Sequence, residues 1–165
     1  MRPSQGESVT LKFIVGVWSV LCGEVIRLHK VRLLVAEDSE QWRQFISSTL
    51  LKEPSLELIC EVVDGLQAVL MAEQHQPTIA LMDIGLPRLC GLDAARTIKQ
   101  RAPNTAIIFL SGLQDMEIVR TALGIGNGYV LKSDAANDLI AAIQAVAAGD
   151  IFVSRQLAGL RIVNK

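Results

Sequence analysis

The chain has no surplus of one charge. Sixteen basic residues face seventeen acidic ones, for a formal net charge of −1. No basic field therefore marks a nucleic-acid-binding surface. Cysteine is sparse: Cys22, Cys60 and Cys90 are odd in number, widely spaced and without a CxxC pair. That pattern indicates neither a disulfide framework nor a zinc site, and buried or free thiols in a reducing compartment are the simpler reading. His29 and His75 lack metal-ligand spacing. No GxxxxGK[ST] or GxGxxG precedes a helical pattern, so nucleotide binding has no support. An apolar run at 13–22 is about ten residues long, too short to span a bilayer. There is no internal repeat and no low-complexity segment. What remains is 165 residues, 50% hydrophobic and 20% charged. That suffices for one domain whose core needs no staple.

Three parts are legible: an extension at 1–29, a patterned region at 30–148 and a short tail at 149–165. The patterned region opens on an apolar run of buried-strand type at 31–36. Ser39 can then cap a helix, and Trp42, Phe45, Ile46, Thr49 and Leu50 recur at helical spacing. Pro54 closes that region. A second strand is expected at 56–62, a turn at Asp64-Gly65 and a helix at about 66–74. A third strand at 78–82 runs into Asp83, and a loop punctuated by Gly and Pro leads to a helix at about 92–101. A fourth strand at 106–110 ends at Ser111-Gly112, followed by a helix at about 115–123. A fifth strand at 128–131 ends at Lys132, and the last helix runs from about 133 or 134 to 148. Five strand–helix units in strict alternation imply an α/β fold: a five-stranded parallel sheet, doubly wound, of (βα)5 type. The strands are near-continuous apolar runs, as when both sheet faces are covered.

In such sheets the ligand site lies beyond the carboxyl ends of the strands. Glu37 and Asp38 stand after the first strand, Asp83 after the third, Ser111 after the fourth and Lys132 after the fifth. Clustered carboxylates bind Mg²⁺, a hard cation that prefers oxygen. A metal and a lysine can neutralise a phosphoryl group in transfer, a carboxylate can accept it as an acyl phosphate, and a hydroxyl can report the product by hydrogen bonding.

These segments together resemble the receiver domains of response regulators, which have the flavodoxin-like, CheY-like fold. The matching pieces are Val35-Ala36-Glu37-Asp38, the run Leu81-Met82-Asp83-Ile84-Gly85-Leu86-Pro87 with Gly91-Leu92, then Ile107-Ile108-Phe109-Leu110-Ser111-Gly112 and Gly128-Tyr129-Val130-Leu131-Lys132. Each is weak alone; in this order at these strand ends they are specific. The resemblance implies that Asp83 is the phosphoacceptor, that Asp38 is a direct Mg²⁺ ligand with Glu37 beside it, and that the Gly85 backbone carbonyl completes the metal site. It further implies that Lys132 holds a phosphoryl oxygen, that Ser111 is the switch hydroxyl, and that Tyr129 turns inward when Ser111 moves. Glu37 departs from the family's usual Asp-Asp pair, which should alter metal affinity more than reaction type. The donor implied is a histidine kinase, a phosphotransfer protein or a small phosphodonor, and the output partner is unnamed. The chain would catalyse only its own phosphorylation and dephosphorylation, in the cytoplasm.

Haloacid-dehalogenase-type phosphatases also place an aspartate nucleophile after a strand, but they need a second acid two residues on, and here that residue is Gly85. Neither Gly85 nor Leu113, two residues past Ser111, can position a hydrolytic water, so a long-lived phosphoryl state is expected. The segment 1–29 is expected to lie outside the receiver fold, with a membrane-contacting or partner-binding helix as the alternative. The tail 149–157 is similar to the linker after NarL/FixJ-type receivers, and 158–165 is too short for a DNA-binding domain. The expectation is no specific DNA binding by this chain alone, and no membrane span. A homodimer through the fourth and fifth helices, or the first and fifth, is left open. Two further functional readings stand beside the phosphorylation switch: the receiver portion of a truncated NarL/FixJ-type regulator, and a phosphorylation-independent interaction module.

Overall fold

The computed structural model describes residues 30–158. The expectations for 1–29 and 159–165 lie outside the described residues.

The chain alternates strand and helix: β1 (Val31–Ala36), α1 (Glu40–Leu50), β2 (Leu56–Val62), α2 (Gly65–His75), β3 (Ile79–Met82), α3 (Gly91–Arg101), β4 (Ala106–Ser111), α4 (Met116–Ile125), β5 (Gly128–Leu131) and α5 (Ala135–Ala147). A 3-10 turn, Lys132–Asp134, joins β5 to α5. All strand pairs are parallel, and the order is β2-β1-β3-β4-β5-β6, with β6 at Phe152–Val153. The α/β doubly wound sheet is as the sequence pattern predicts, but among the described residues it has six strands where five were expected.

Period-two alternation along each strand splits the core into two layers. Leu33, Val35, Ile79, Leu81, Ile108, Leu110 and Val130 pack against Ile46 of α1 and Leu139, Ala142 and Ile143 of α5. Their neighbours Leu34, Ala36, Ala80, Met82, Ile107 and Phe109 face Ala68 and Ala72 of α2, Ala94, Ala95 and Ile98 of α3, and Val119 and Ala122 of α4. Small alanines on those three helices let them approach the sheet closely. α1 and α5 thus cover one face and α2, α3 and α4 the other.

The sixth strand is too short to carry a hydrophobic pattern. It adds to the outer edge of β5 through Gly128↔Phe152 and Tyr129↔Val153. Ser154 fixes it: its N–H donates to the Tyr129 carbonyl at 2.9 Å, and its Oγ accepts from the Leu131 N–H at 3.0 Å. A four-residue helix, α6 (Arg155–Ala158), follows. Leu157 on it is 1% exposed and belongs to the α2–α4 core layer. The start of the tail is therefore part of the sheet rather than a linker.

Candidate functional site: an acidic cluster at the carboxyl edge of the sheet

β1 lies between β2 and β3, so the winding reverses there and opens a crevice at the strand ends. β1 delivers Glu37 and Asp38 to it. Arg43, one turn into α1, donates from Nη1 to the carbonyls of Glu37 (2.8 Å) and Asp38 (2.9 Å), which fixes the β1–α1 loop. β3 delivers Asp83, whose N–H donates to the Ala36 carbonyl at 2.9 Å, so the two acidic strand ends are held in register. Oxygens of Glu37, Asp38 and Asp83 lie within 4.8 Å of one another. Glu37 is buried at 1% exposure, Asp83 is 9% exposed and Asp38 is open to solvent.

β5 delivers Lys132. Its Nζ lies 2.7 Å from Glu37 Oε2 and 3.4 Å from Asp83 Oδ2, and 5.2 Å from the centroid of the Trp42 ring. One ammonium thus bridges two of the three acids, with an aromatic face behind it. Glu37 Oε1 accepts from the Ser39 N–H at 3.2 Å. Its buried Oε2 takes the Lys132 ammonium at 2.7 Å. Burial pushes the Glu37 carboxyl above the ordinary carboxylate range; the Lys132 ammonium pulls it partly back, and the Asp83 charge adds to the rise.

β4 ends in Ser111, 2% exposed, whose Oγ accepts from the Leu113 N–H at 3.2 Å. Tyr129 on β5 is fully buried, and its hydroxyl donates to the Leu113 carbonyl at 2.8 Å. Ser111 and Tyr129 therefore hold the same residue of the β4–α4 loop. Burial raises the Tyr129 phenol; a contact with Ser111 opposes this, and the Asp83 and Asp115 charges add to it.

The loop between β3 and α3 carries Gly85, which is exposed and beside the carboxylate: a Cβ there would stand 3.5 Å from Asp83 Oδ2. The base of this loop closes through the Gly91 N–H donating to the Ile84 carbonyl at 2.9 Å. Gly91 is a steric necessity, since a Cβ would come within 2.0 Å of the Asp83 carbonyl oxygen.

All the residues singled out in the sequence at strand ends thus meet at one edge. Sequence reasoning missed Arg43, which reads as an ordinary surface charge on α1. It placed Trp42 in the core stripe only, although the same ring also backs Lys132. It treated Asp64 and Arg88 as a turn and a loop residue, whereas they form an ion pair at 3.1 Å that ties α2 to the β3–α3 loop.

The donor set suits a small hard cation. All three side chains offer carboxylate oxygens, and these lie within 4.8 Å of one another. Among the described residues no helix is long and apolar enough to cross a membrane.

Comparison with known proteins gives a consistent picture. The family described as the response regulator receiver domain matches residues 33–144. The transcriptional regulatory protein DegU of Brevibacillus brevis is 32% identical over 131 residues, covering 79% of this chain and 56% of that protein. The transcriptional regulatory protein PdtaR of Mycobacterium tuberculosis H37Rv is 36% identical over 116 residues, covering 68% and 55% respectively. The chain therefore aligns with little more than half the length of these relatives. A solved LuxR-family two-component response regulator from Aurantimonas sp. superposes with a TM-score of 0.75 at 26% identity, covering 79% of this chain and 94% of that one.

Proposed function

The chain belongs to the response-regulator receiver family, and from that premise we propose that it takes a phosphoryl group onto Asp83 in a Mg²⁺-dependent reaction and thereby switches a protein-interaction surface. The observation that carries this reading is the convergence of Glu37, Asp38 and Asp83 within 4.8 Å, with Lys132 bridging two of them.

Glu37, Asp38, Asp83 and the Gly85 carbonyl would hold the cation. When bound, Mg²⁺ neutralises charge on the phosphoryl oxygens and orients them for in-line transfer. The remaining work falls to the protein's own residues. An Asp83 carboxylate oxygen attacks the phosphorus of a phosphohistidine or a small acyl phosphate, the bond to the donor breaks, and an aspartyl phosphate forms. Lys132, already 3.4 Å from Asp83 Oδ2, moves its charge from Glu37 and Asp83 toward the new phosphoryl oxygens. Ser111 donates its hydroxyl proton to a phosphoryl oxygen while its oxygen keeps accepting from the Leu113 N–H, and so draws the loop that Tyr129 also holds. Local charge thus biases the face made by α4, β5 and α5. The kinase or phosphotransfer donor and the output partner are protein partners of this surface, and no turnover of an external substrate is assigned.

The test is intact-protein mass after incubation with acetyl phosphate and Mg²⁺, beside Asp83→Ala. One added phosphoryl group on the parent and none on the variant is the expected result. Absence of label on the parent with acetyl phosphate and with a panel of phosphorylated histidine kinases would sink the proposal in favour of a phosphorylation-independent module. Because Gly85 and Leu113 carry no polar side-chain group to hold an attacking water, the label should persist for long after removal of the donor. Rapid loss in the absence of a phosphatase would contradict that.

A further inference from the structure

The β3–α3 loop, 84–90, is pinned to its own base by backbone, but its tip is held by another element. At the tip the Gly65 N–H of α2 donates to the Pro87 carbonyl at 3.3 Å. Gly65 itself sits against the loop so closely that a Cβ would meet the Leu89 carbonyl oxygen at 1.9 Å. Between these backbone contacts stands the ion pair of Arg88 Nη1 with Asp64 Oδ2 at 3.1 Å. Asp64 is 3% exposed, and its other oxygen caps α2 by accepting from the Gln67 N–H at 2.9 Å. Arg88 has φ of +66°, a left-handed conformation that a residue with a long side chain adopts only where its surroundings impose it.

Gly85 lies between the pinned base and this tip. It is exposed and beside Asp83 Oδ2. We propose that Arg88 is a positioning residue for the Asp83 site: its ion pair with buried Asp64 holds the left-handed tip against the start of α2, and so keeps the Gly85 carbonyl presented to the cation bound by Glu37, Asp38 and Asp83. This rests on the metal-dependent reading above. A glycine would accept φ of +66° more readily than arginine does, so the side chain, not the backbone, is what arginine contributes at this position. Outer partners of this kind orient the groups that touch the metal.

The experiment uses the full chain with Arg88→Gly, Asp64→Asn and the double variant. Arg88→Gly relieves the left-handed conformation and removes the ion pair. Asp64→Asn keeps the oxygen that caps Gln67 and removes the charge. Three quantities are read: thermal midpoint without metal, amide hydrogen exchange of Leu89 and Gly91 without metal, and the Mg²⁺ concentration that half-saturates binding by calorimetry. The expected result is an unchanged or higher midpoint for Arg88→Gly, faster exchange at the loop, and Mg²⁺ affinity weakened by about tenfold. The double variant should be no worse than the weaker single one, because both remove one interaction. Acetyl phosphate labelling of Asp83 should then slow at low Mg²⁺ and recover at saturating Mg²⁺. Arg88→Gly with parental Mg²⁺ affinity and parental loop exchange overturns the proposal. A parent that binds no Mg²⁺ or takes no phosphoryl group is a different outcome: it removes the underlying reading, and this inference with it.

Discussion

Glu37 carries a carboxylate that its surroundings disfavour. Its pKa is raised from the ordinary 4.5, first by burial and then by the Asp83 charge, against the pull of Lys132. Between 4.5 and the raised value the folded chain binds more protons at this site than the unfolded chain. Stability from this group is therefore greatest below that window and declines as pH rises through it. A cation competes with the same proton, so Mg²⁺ affinity should climb with pH over the same window. Calorimetric titrations run upward from pH 4.5 would show this, and Glu37→Gln should flatten the slope. Equal affinity at every pH would count against Glu37 as a ligand. Tyr129 offers a second residue-scale test, because it is the only tyrosine in the chain. Its phenol is raised chiefly by burial, so tyrosinate absorbance should appear only above the usual tyrosine range or together with alkaline unfolding. Here too the folded state holds the proton longer, so this group's contribution is present below the ordinary tyrosine pKa of 10.0 and falls as pH rises through the folded value. Ionisation at the ordinary value in a folded chain would mean that the phenol is not buried as described.

At the scale of elements, two glycines decide whether the β3–α3 loop can seat. A Cβ at Gly65 or Gly91 would press on backbone carbonyls at 1.9 and 2.0 Å, and neither carbonyl can retreat without moving its loop. Gly65→Ala and Gly91→Ala should each destabilise by about 2–3 kcal/mol in urea unfolding, the cost of overpacking a well-filled site. Gly85→Ala, with ordinary contact at 3.5 Å, should unfold like the parent. A neutral Gly91→Ala would show that the loop is free to shift. The strands and most helices of this half of the molecule were legible because their signals are local. Asp64 reads as a turn residue and Asp115 as the start of a helix, and both accept from first-turn amides of α2 and α4. Strand ends could be located, so the acids, the hydroxyl and the lysine could be placed on one edge. What could not be read is how loops touch each other. The Asp64–Arg88 pair spans 24 residues, and its left-handed backbone gives no compositional sign because the residue there is arginine rather than glycine.

Among the described residues, the β5 side of the sheet ends in a strand that the sequence hid. Phe152–Val153 is only two residues long, so neither alternation nor length could announce it, and Gly149-Asp150 before it reads as the end of a domain. Yet it covers the edge of β5, the strand that carries Tyr129 and leads to Lys132. Removing residues 149–165 should leave the Leu131 N–H without its Ser154 partner, at a cost of about 1 kcal/mol, and lose the burial of Leu157, about 2 kcal/mol. The site residues themselves all lie between Glu37 and Lys132. A chain ending at 148 should therefore unfold at lower urea concentration, by an amount equivalent to about 3 kcal/mol, while still binding Mg²⁺ and accepting label on Asp83 when folded. Equal stability of the two chains would mean that the tail is a linker lying against the sheet without supporting it. Loss of Mg²⁺ binding by a chain that is still folded would mean that the β5 edge, through Lys132, sets the geometry of the acidic cluster as well as its stability.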